Sequence, residues 1–356
     1  MFFTCANRAP AAEHGTGRVV STGTKTRVVD IHCHCSCSKA AETMKAEGDR
    51  TGRQALGYGN DLTRQINRRQ LSDIESKMQS LDERLADMDA MGIDVQAVSI
   101  SPYQFFYWAE AEVGRGVSRM MNDHLAEIAA RRPERFVALG TLPMQDTGMA
   151  VAELERCVKD LGMRGVEIST NVRGDELSDP RLDKFFAKAE DLDVLIFIHP
   201  DGFTHGERFQ DHYFQNLIGH PIESTLAISH LIFDGVLDRY PGLKICVAHG
   251  GGFLPAYAGR MEHAFHGRAD CRQHIAQPPS EYLRRLYFDT MVFEPDQLAF
   301  LIGKYGADHV LLGTDYPYDM GESDPLGLVG RVAGLDEAGR TAVLGGNAAQ
   351  LLRLVD

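Results

Sequence analysis

The sequence predicts an α/β protein built as one (β/α)8 TIM barrel, and three observations predict it. Eight short apolar runs recur along the chain, helical stretches separate them, and histidines and an aspartate gather where several runs end. The runs are VVDIHCH (28–34), VQAVSIS (95–101), RFVALGTLP (135–143), GVEIST (165–170), VLIFIHP (194–200), LKICVAHG (243–250), LYFDTMVF (286–293) and HVLLGTDYP (309–317). Near-continuous Val, Ile and Leu are what strands covered on both faces require, and parallel neighbours need a crossover, usually helical. Residues 73–91 and 148–161 carry apolar positions three to four apart with charges between, the pattern of a helix packed outside a sheet. A doubly wound open sheet is the competing fold. No GxGxxG follows the first run, and eight evenly spread strands favour closure.

Residues 1–26 are rich in Ala, Gly, Thr and Ser without periodicity and read as a flexible leader, which leaves residues 27–356 for a single barrel. An insert at about 35–71 follows the first strand. Its glycines and basic residues suit a lid over the active end. Residues 201–242 are also longer than a plain barrel needs; their helical part has a wide apolar face, for burial against the barrel or for a subunit contact.

Hydrophobic residues are 44% of the 356 and charged residues 24%, ordinary for a globular protein with a sizeable core. The formal net charge of -13 argues against nucleic-acid binding, because the average surface repels a phosphate backbone. An anionic substrate must then be met by locally placed arginines. No run of about 18 apolar residues exists, so neither membrane span nor secretory signal is expected and the cytoplasm is the default compartment. Seven cysteines, an odd number, fit reduced thiols. Cys33, Cys35 and Cys37 match no paired metal or redox motif and read as small side chains packed behind a strand.

The sharpest local signal is Asp30-Ile31-His32-Cys33-His34. Residues i and i+2 share a strand face, so His32 and His34 can project together and chelate one ion. His199, His249 and Asp315 end the fifth, sixth and eighth runs, on the barrel face where catalytic groups gather. His32, His34, His199 and Asp315 are therefore expected to hold one divalent metal, Zn2+ first, with Mn2+, Fe2+ or Co2+ as alternatives. Water on such an ion is acidified to a pKa of about 7. His249, followed by three glycines that permit close approach of a ligand, is assigned as the general base and acid, with a fourth histidine ligand as the alternative.

The runs KICVAHGGGFLPAYAGRMEHAFHGR and VLLGTDYPYDMGESDP, the terminal GNAAQLLRL and the opening DIHCH together resemble the 2-amino-3-carboxymuconate-6-semialdehyde decarboxylase family, in the decarboxylase branch of the amidohydrolase superfamily. The likeness runs from about residue 27 to the C-terminus. It implies a metal-dependent amidohydrolase-type barrel that removes CO2 from carboxylated aromatic acids or ring-cleavage products, with no oxidation and no organic cofactor. It further implies that His32, His34, His199 and Asp315 bind the metal, that His249 is catalytic with Asp315, and that Arg260 and Arg268 hold the substrate carboxylate in the neighbouring subunit of a homodimer. Eight residues apart on a helix, those two arginines would lie about 80° apart and could converge on one ligand. Two departures touch the pocket: His199-Pro200-Asp201 replaces an HPWD-type sequence, and the insert obscures the family's other substrate arginine, for which Arg64, Arg68 and Arg69 are candidates.

A hydrolase or hydratase on the same scaffold is the alternative activity, since activated water can add to many acceptors. A non-enzymatic barrel would have lost at least one ligand, and none is missing. His205, His212, His220, His230, His263, His266 and His274 carry no assignment. Trp108 and the Tyr103–Tyr107 cluster line the pocket or cap the helical layer.

Overall fold

The computed structural model describes residues 27–52 and 59–354. The expected leader, residues 53–58 of the insert and the last two residues lie outside them. Eight parallel strands form one sheet: β1 (Val29–Cys35), β2 (Val95–Ile100), β3 (Phe136–Gly140), β4 (Gly165–Ile168), β5 (Leu195–Ile198), β6 (Lys244–Val247), β7 (Tyr287–Asp289) and β8 (Val310–Leu311). Each pairs with the next, and the eight runs found in the sequence each supply one. The sheet closes where β8 and the residues after it meet β1. There Ile31 N–H donates to Leu312 O at 2.9 Å, His34 N–H to Tyr316 O at 2.8 Å and Asp315 N–H to His32 O at 2.8 Å.

The helices between the strands are α1 (Ser38–Thr51), α2 (Asp61–Asp73), α3 (Glu75–Gln79), α4 (Leu81–Met91), α5 (Ala111–Arg131), α6 (Thr147–Lys159), α7 (Asp183–Asp191), α8 (His220–Phe233), α9 (Leu254–Gly267) and α10 (Pro295–Tyr305), with shorter turns elsewhere. The periodic stretch 73–91 is not one helix. Ser80 leaves helical geometry and its side chain accepts the Glu83 N–H, so a new helix starts there although the apolar pattern runs through it. Residues 201–242 are helical mainly as α8, whose Ala227, Ile228, Leu231 and Ile232 are buried in the main core, so the wide apolar face packs on the barrel.

Two layers of burial follow from strand alternation. Ile31, Ala97, Leu139, Leu195, Phe197 and Leu311 form one cluster among themselves, while Ile168, Ile196, Ile198 and Val247 pack with α6, α7 and α8. In β1 the register slips between Asp30 and Cys33. This bulge shifts the alternation, so that both Ile31 and the following His32 and His34 meet interior groups while Cys33 and Cys35 pack toward Met88 and Met121 of the helices. The cysteine cluster is thus core packing, and the six described cysteines are free thiols, five of them buried. Among the described residues no helix is long and apolar enough to cross a membrane.

Candidate metal centre

The C-terminal rim of the barrel brings His32, His34, His199, His249 and Asp315 to one place. His32 Nε2 and His34 Nε2 lie 3.1 Å apart, and Asp315 Oδ1 is 3.3 Å from the first and 3.2 Å from the second. One ligand atom from each of His32, His199, His249 and Asp315 lies within 4.8 Å of all the others. The ring centroids of His199 stand 4.9 Å from His32 and 5.0 Å from His34. His34 joins this group through His32 and Asp315. His249 Nε2 is 3.7 Å from the other carboxylate oxygen, Asp315 Oδ2. His249 and Asp315 both adopt left-handed backbone, φ 56° and 54°, a conformation that costs a non-glycine residue energy and clusters at functional sites.

These groups fit a divalent cation. His199 donates Nδ1–H to Pro200 O at 2.7 Å, which leaves its buried Nε2 without a partner, and Asp315 Oδ1 is likewise buried and unpaired. His32 gives its Nδ1–H to Asp289 Oδ2 at 2.7 Å, so its Nε2 also turns a lone pair inward. Lone pairs 3.1–3.3 Å apart repel unless something positive lies between them, and nitrogen and oxygen ligands about 2.0–2.1 Å from zinc stand at about that separation. Burial lowers His34 to about 4 and holds His199 well below the ordinary histidine range, so both are neutral donors. Burial works against ionisation of Asp315, but its contacts with His32, His249 and His34 outweigh it and hold the group well below the usual carboxylate range.

Asp289, the last residue of β7, organises the site and had no role in the sequence reading. Besides the His32 ring, its carboxylate accepts the N–H groups of His249 at 3.0 Å, Gly250 at 2.7 Å and Met291 at 3.1 Å. It thereby fixes the tautomer of one imidazole and the backbone that carries another. Its strand-end position after an apolar run was the available signal. Asp289→Asn would face these donors with an NH2 group. We expect metal affinity to fall about 10–100-fold, as for other outer partners of ligating histidines; an unchanged dissociation constant for Zn2+ would contradict this role.

Asp30 makes a second clamp. Buried, it accepts from the backbone of His32 and Thr314 and from the side chains of Gln96 and Thr314, tying β1 to the segment that presents Asp315. Burial raises its carboxyl to about 6 against these bonds. The three glycines after His249 are required by the fold, and Gly250 and Gly252 also line a chamber beside the centre. At φ 60°, 79° and 63°, a Cβ on each would fall 2.4 Å from Val292, 2.6 Å from the Phe288 ring and 2.4 Å from Pro221 O.

Two chambers open beside the centre. One is lined by Tyr103, Asp201, Tyr213, Gln215, Tyr318 and polar residues of α2; the other by His249, Phe253, Met291, Phe293 and Phe300. From the insert, Asn67, Gln70 and Leu71 reach the first chamber, whereas Arg64, Arg68 and Arg69 do not line it; Arg64 instead binds Asp61 and the Gly59 carbonyl. Of the early aromatic cluster, Tyr103 lines this chamber, and Phe105, Phe106, Tyr107 and Trp108 line an adjoining recess. Arg260 and Arg268 are exposed and line neither chamber of their own chain. Arg268 stands just beyond the end of α9 in extended conformation, paired with Asp270 at 2.6 Å, so the helical spacing expected for the two arginines does not hold.

Comparison with known proteins agrees with this architecture. The amidohydrolase family model matches residues 29–354. The 2-amino-3-carboxymuconate-6-semialdehyde decarboxylase of Dictyostelium discoideum is 38% identical over 283 residues, 79% of each chain. The solved 5-carboxyvanillate decarboxylase of Sphingomonas paucimobilis superposes with a TM-score of 0.82 at 27% identity, covering 93% of this chain and 100% of that one. A dihydroxybenzoic acid decarboxylase from Polaromonas sp. JS666, solved with bound manganese and the inhibitor 2-nitroresorcinol, superposes at 0.79 with 24% identity, covering 93% and 98%. With its family model spanning nearly the whole barrel and a relative at 38% identity, the chain belongs to the amidohydrolase family.

Proposed function

We propose that the protein is a carbon-carbon lyase: a metal-dependent decarboxylase that removes CO2, without oxidation, from a carboxylated aromatic acid or a ring-cleavage acid of the muconate semialdehyde kind. The observation that carries this reading is the gathering of His32, His34, His199, His249 and Asp315 at one rim of the barrel, beside a chamber that His249 and Asp315 line. These four residues would hold the cation, zinc first, with Mn2+, Fe2+ or Co2+ also suited to a nitrogen and carboxylate set. A divalent ion there supplies Lewis-acid stabilisation of negative charge and lowers the pKa of water.

Breaking the bond to CO2 leaves an electron pair on carbon. The pair is delocalised into the conjugated substrate, and that carbon finally takes a proton. His249 carries the proton. Its ring lines the apolar chamber, and the 3.7 Å to Asp315 is longer than the 3.2–3.3 Å that His34 and His32 keep, which suits a proton carrier rather than a fourth ligand. Asp315 acts in catalysis through that same contact, orienting His249. Phe253, Phe293 and Phe300 give that chamber apolar walls.

Arg260 and Arg268 are read as guanidinium clamps for the carboxylate in the site of a second copy, consistent with their exposure and their absence from their own chain's chambers. Mixing inactive Arg260→Ala with inactive His249→Ala then restores up to about a quarter of wild-type activity, because half of the dimers are mixed and each has one intact site. No recovery on mixing would place the arginines elsewhere. The cytoplasm is the compartment we expect, where free thiols such as the buried cysteines persist.

The activity itself is tested by incubating metal-loaded protein with hydroxybenzoates and muconate semialdehydes under mass-spectrometric detection. Release of CO2 is the expected result; uptake of water with no CO2 would establish the hydrolase or hydratase alternative instead.

A further inference from the structure

We propose that His220 is a further catalytic group of this site, a neutral imidazole that donates a hydrogen bond to an oxygen substituent conjugated with the carbon that loses CO2. Nothing in the sequence around it, Gly219-His220-Pro221 at the start of α8, separates it from an ordinary core histidine. The fold moves it to the centre. Its ring lies nearly parallel to that of His249, centroids 5.6 Å apart at 28°, and 6.1 Å from that of His199. It lines both chambers, as do Asn216, Asp315 and Met320, and so stands where the polar and apolar halves of the cavity meet.

The hydrogen bonding defines its role. Asn216 Nδ2 donates to His220 Nδ1 at 3.4 Å, which leaves the proton on Nε2 and makes that atom a donor. His220 is not among the residues whose ligand atoms lie within 4.8 Å of one another.

Resting on the decarboxylase reading, the chemistry places this donor on one particular oxygen. The carboxylate departs as neutral CO2, so a group that grips it stabilises the starting acid more than the transition state. Electron density moves to the carbon left behind and into any oxygen conjugated with it. A donor aimed at that oxygen gains strength as the reaction proceeds. The preferred substrate class is therefore an acid with a hydroxyl or carbonyl oxygen ortho or vinylogous to the carboxylate.

The test uses full-length, metal-loaded protein whose metal content is measured for each variant. Affinities for 2-hydroxybenzoate and benzoate are compared by calorimetry, alongside CO2 release from hydroxylated acids. Wild type is expected to favour 2-hydroxybenzoate. His220→Phe keeps a ring against His249 but has no donor; it should lose about tenfold or more of that preference, lower kcat more than it raises KM, and leave benzoate affinity within about twofold. His220→Gln should recover part of the preference. Equal binding of the two acids by wild type, an unchanged preference in His220→Phe, or an equal loss for both acids would overturn the proposal, the last marking a packing role. If no acid yields CO2 while His220→Phe still erases the preference, the decarboxylase reading fails and the donor stands.

Discussion

Asp315→Asn is expected to lose its metal and to release CO2 at least about 10³-fold more slowly than wild type, because the Lewis acid contributes several kcal/mol of charge stabilisation. Asparagine is the informative replacement. It matches the shape of aspartate and tolerates the left-handed backbone at φ 54°, where alanine would add conformational strain. Without the carboxylate charge, the lone pairs of His32, His34 and His199 have no anionic ligand to complete a compact set. The loss of metal affinity should therefore exceed the about 10–100-fold typical of outer partners. Elemental analysis after dialysis reads the metal, and calorimetric unfolding separates this loss from a failure to fold. A variant that kept full metal and full activity would remove Asp315 from the centre.

His249→Asn is expected to keep its metal and still lose about 10²–10⁴-fold in kcat, the range for removing a positioned acid or base. The geometry separates these two outcomes. His249 stands 3.7 Å from Asp315, its Nδ1 is buried without a partner, and its backbone N–H is held by Asp289 whatever the side chain. Replacing the ring thus leaves the scaffold bonds in place. If metal content fell in parallel with activity, His249 would be a fourth ligand and the proton carrier would have to be sought in His220 or a bound water.

Most of the fold was legible because a parallel barrel writes each strand as a continuous apolar run, and the candidate ligands end those runs. His32 and His34 could be paired from strand alternation alone, although the bulge between Asp30 and Cys33 is what turns both inward below Ile31. Asp289 escaped notice because a single aspartate after a strand carries no motif; its meaning lies in four donors that only the closed barrel assembles. His220 was hidden for a similar reason, since it starts a helix and reaches the rim only when α8 packs beside His249. The break at Ser80 was missed because apolar periodicity continues through it while a side-chain cap restarts the helix. Arg260 and Arg268 illustrate the opposite limit: spacing along a presumed helix failed once the helix ended before Arg268.

The central claim is that three imidazoles and one carboxylate, drawn from both ends of the chain, share a single ion. Crystals of the metal-loaded protein, measured at the absorption edge of the added metal, test it directly. One anomalous peak per chain, bounded by His32 Nε2, His34 Nε2, His199 Nε2 and the Asp315 carboxylate, is the predicted result. A peak away from these atoms, or a loaded protein whose peak excludes Asp315, would contradict it.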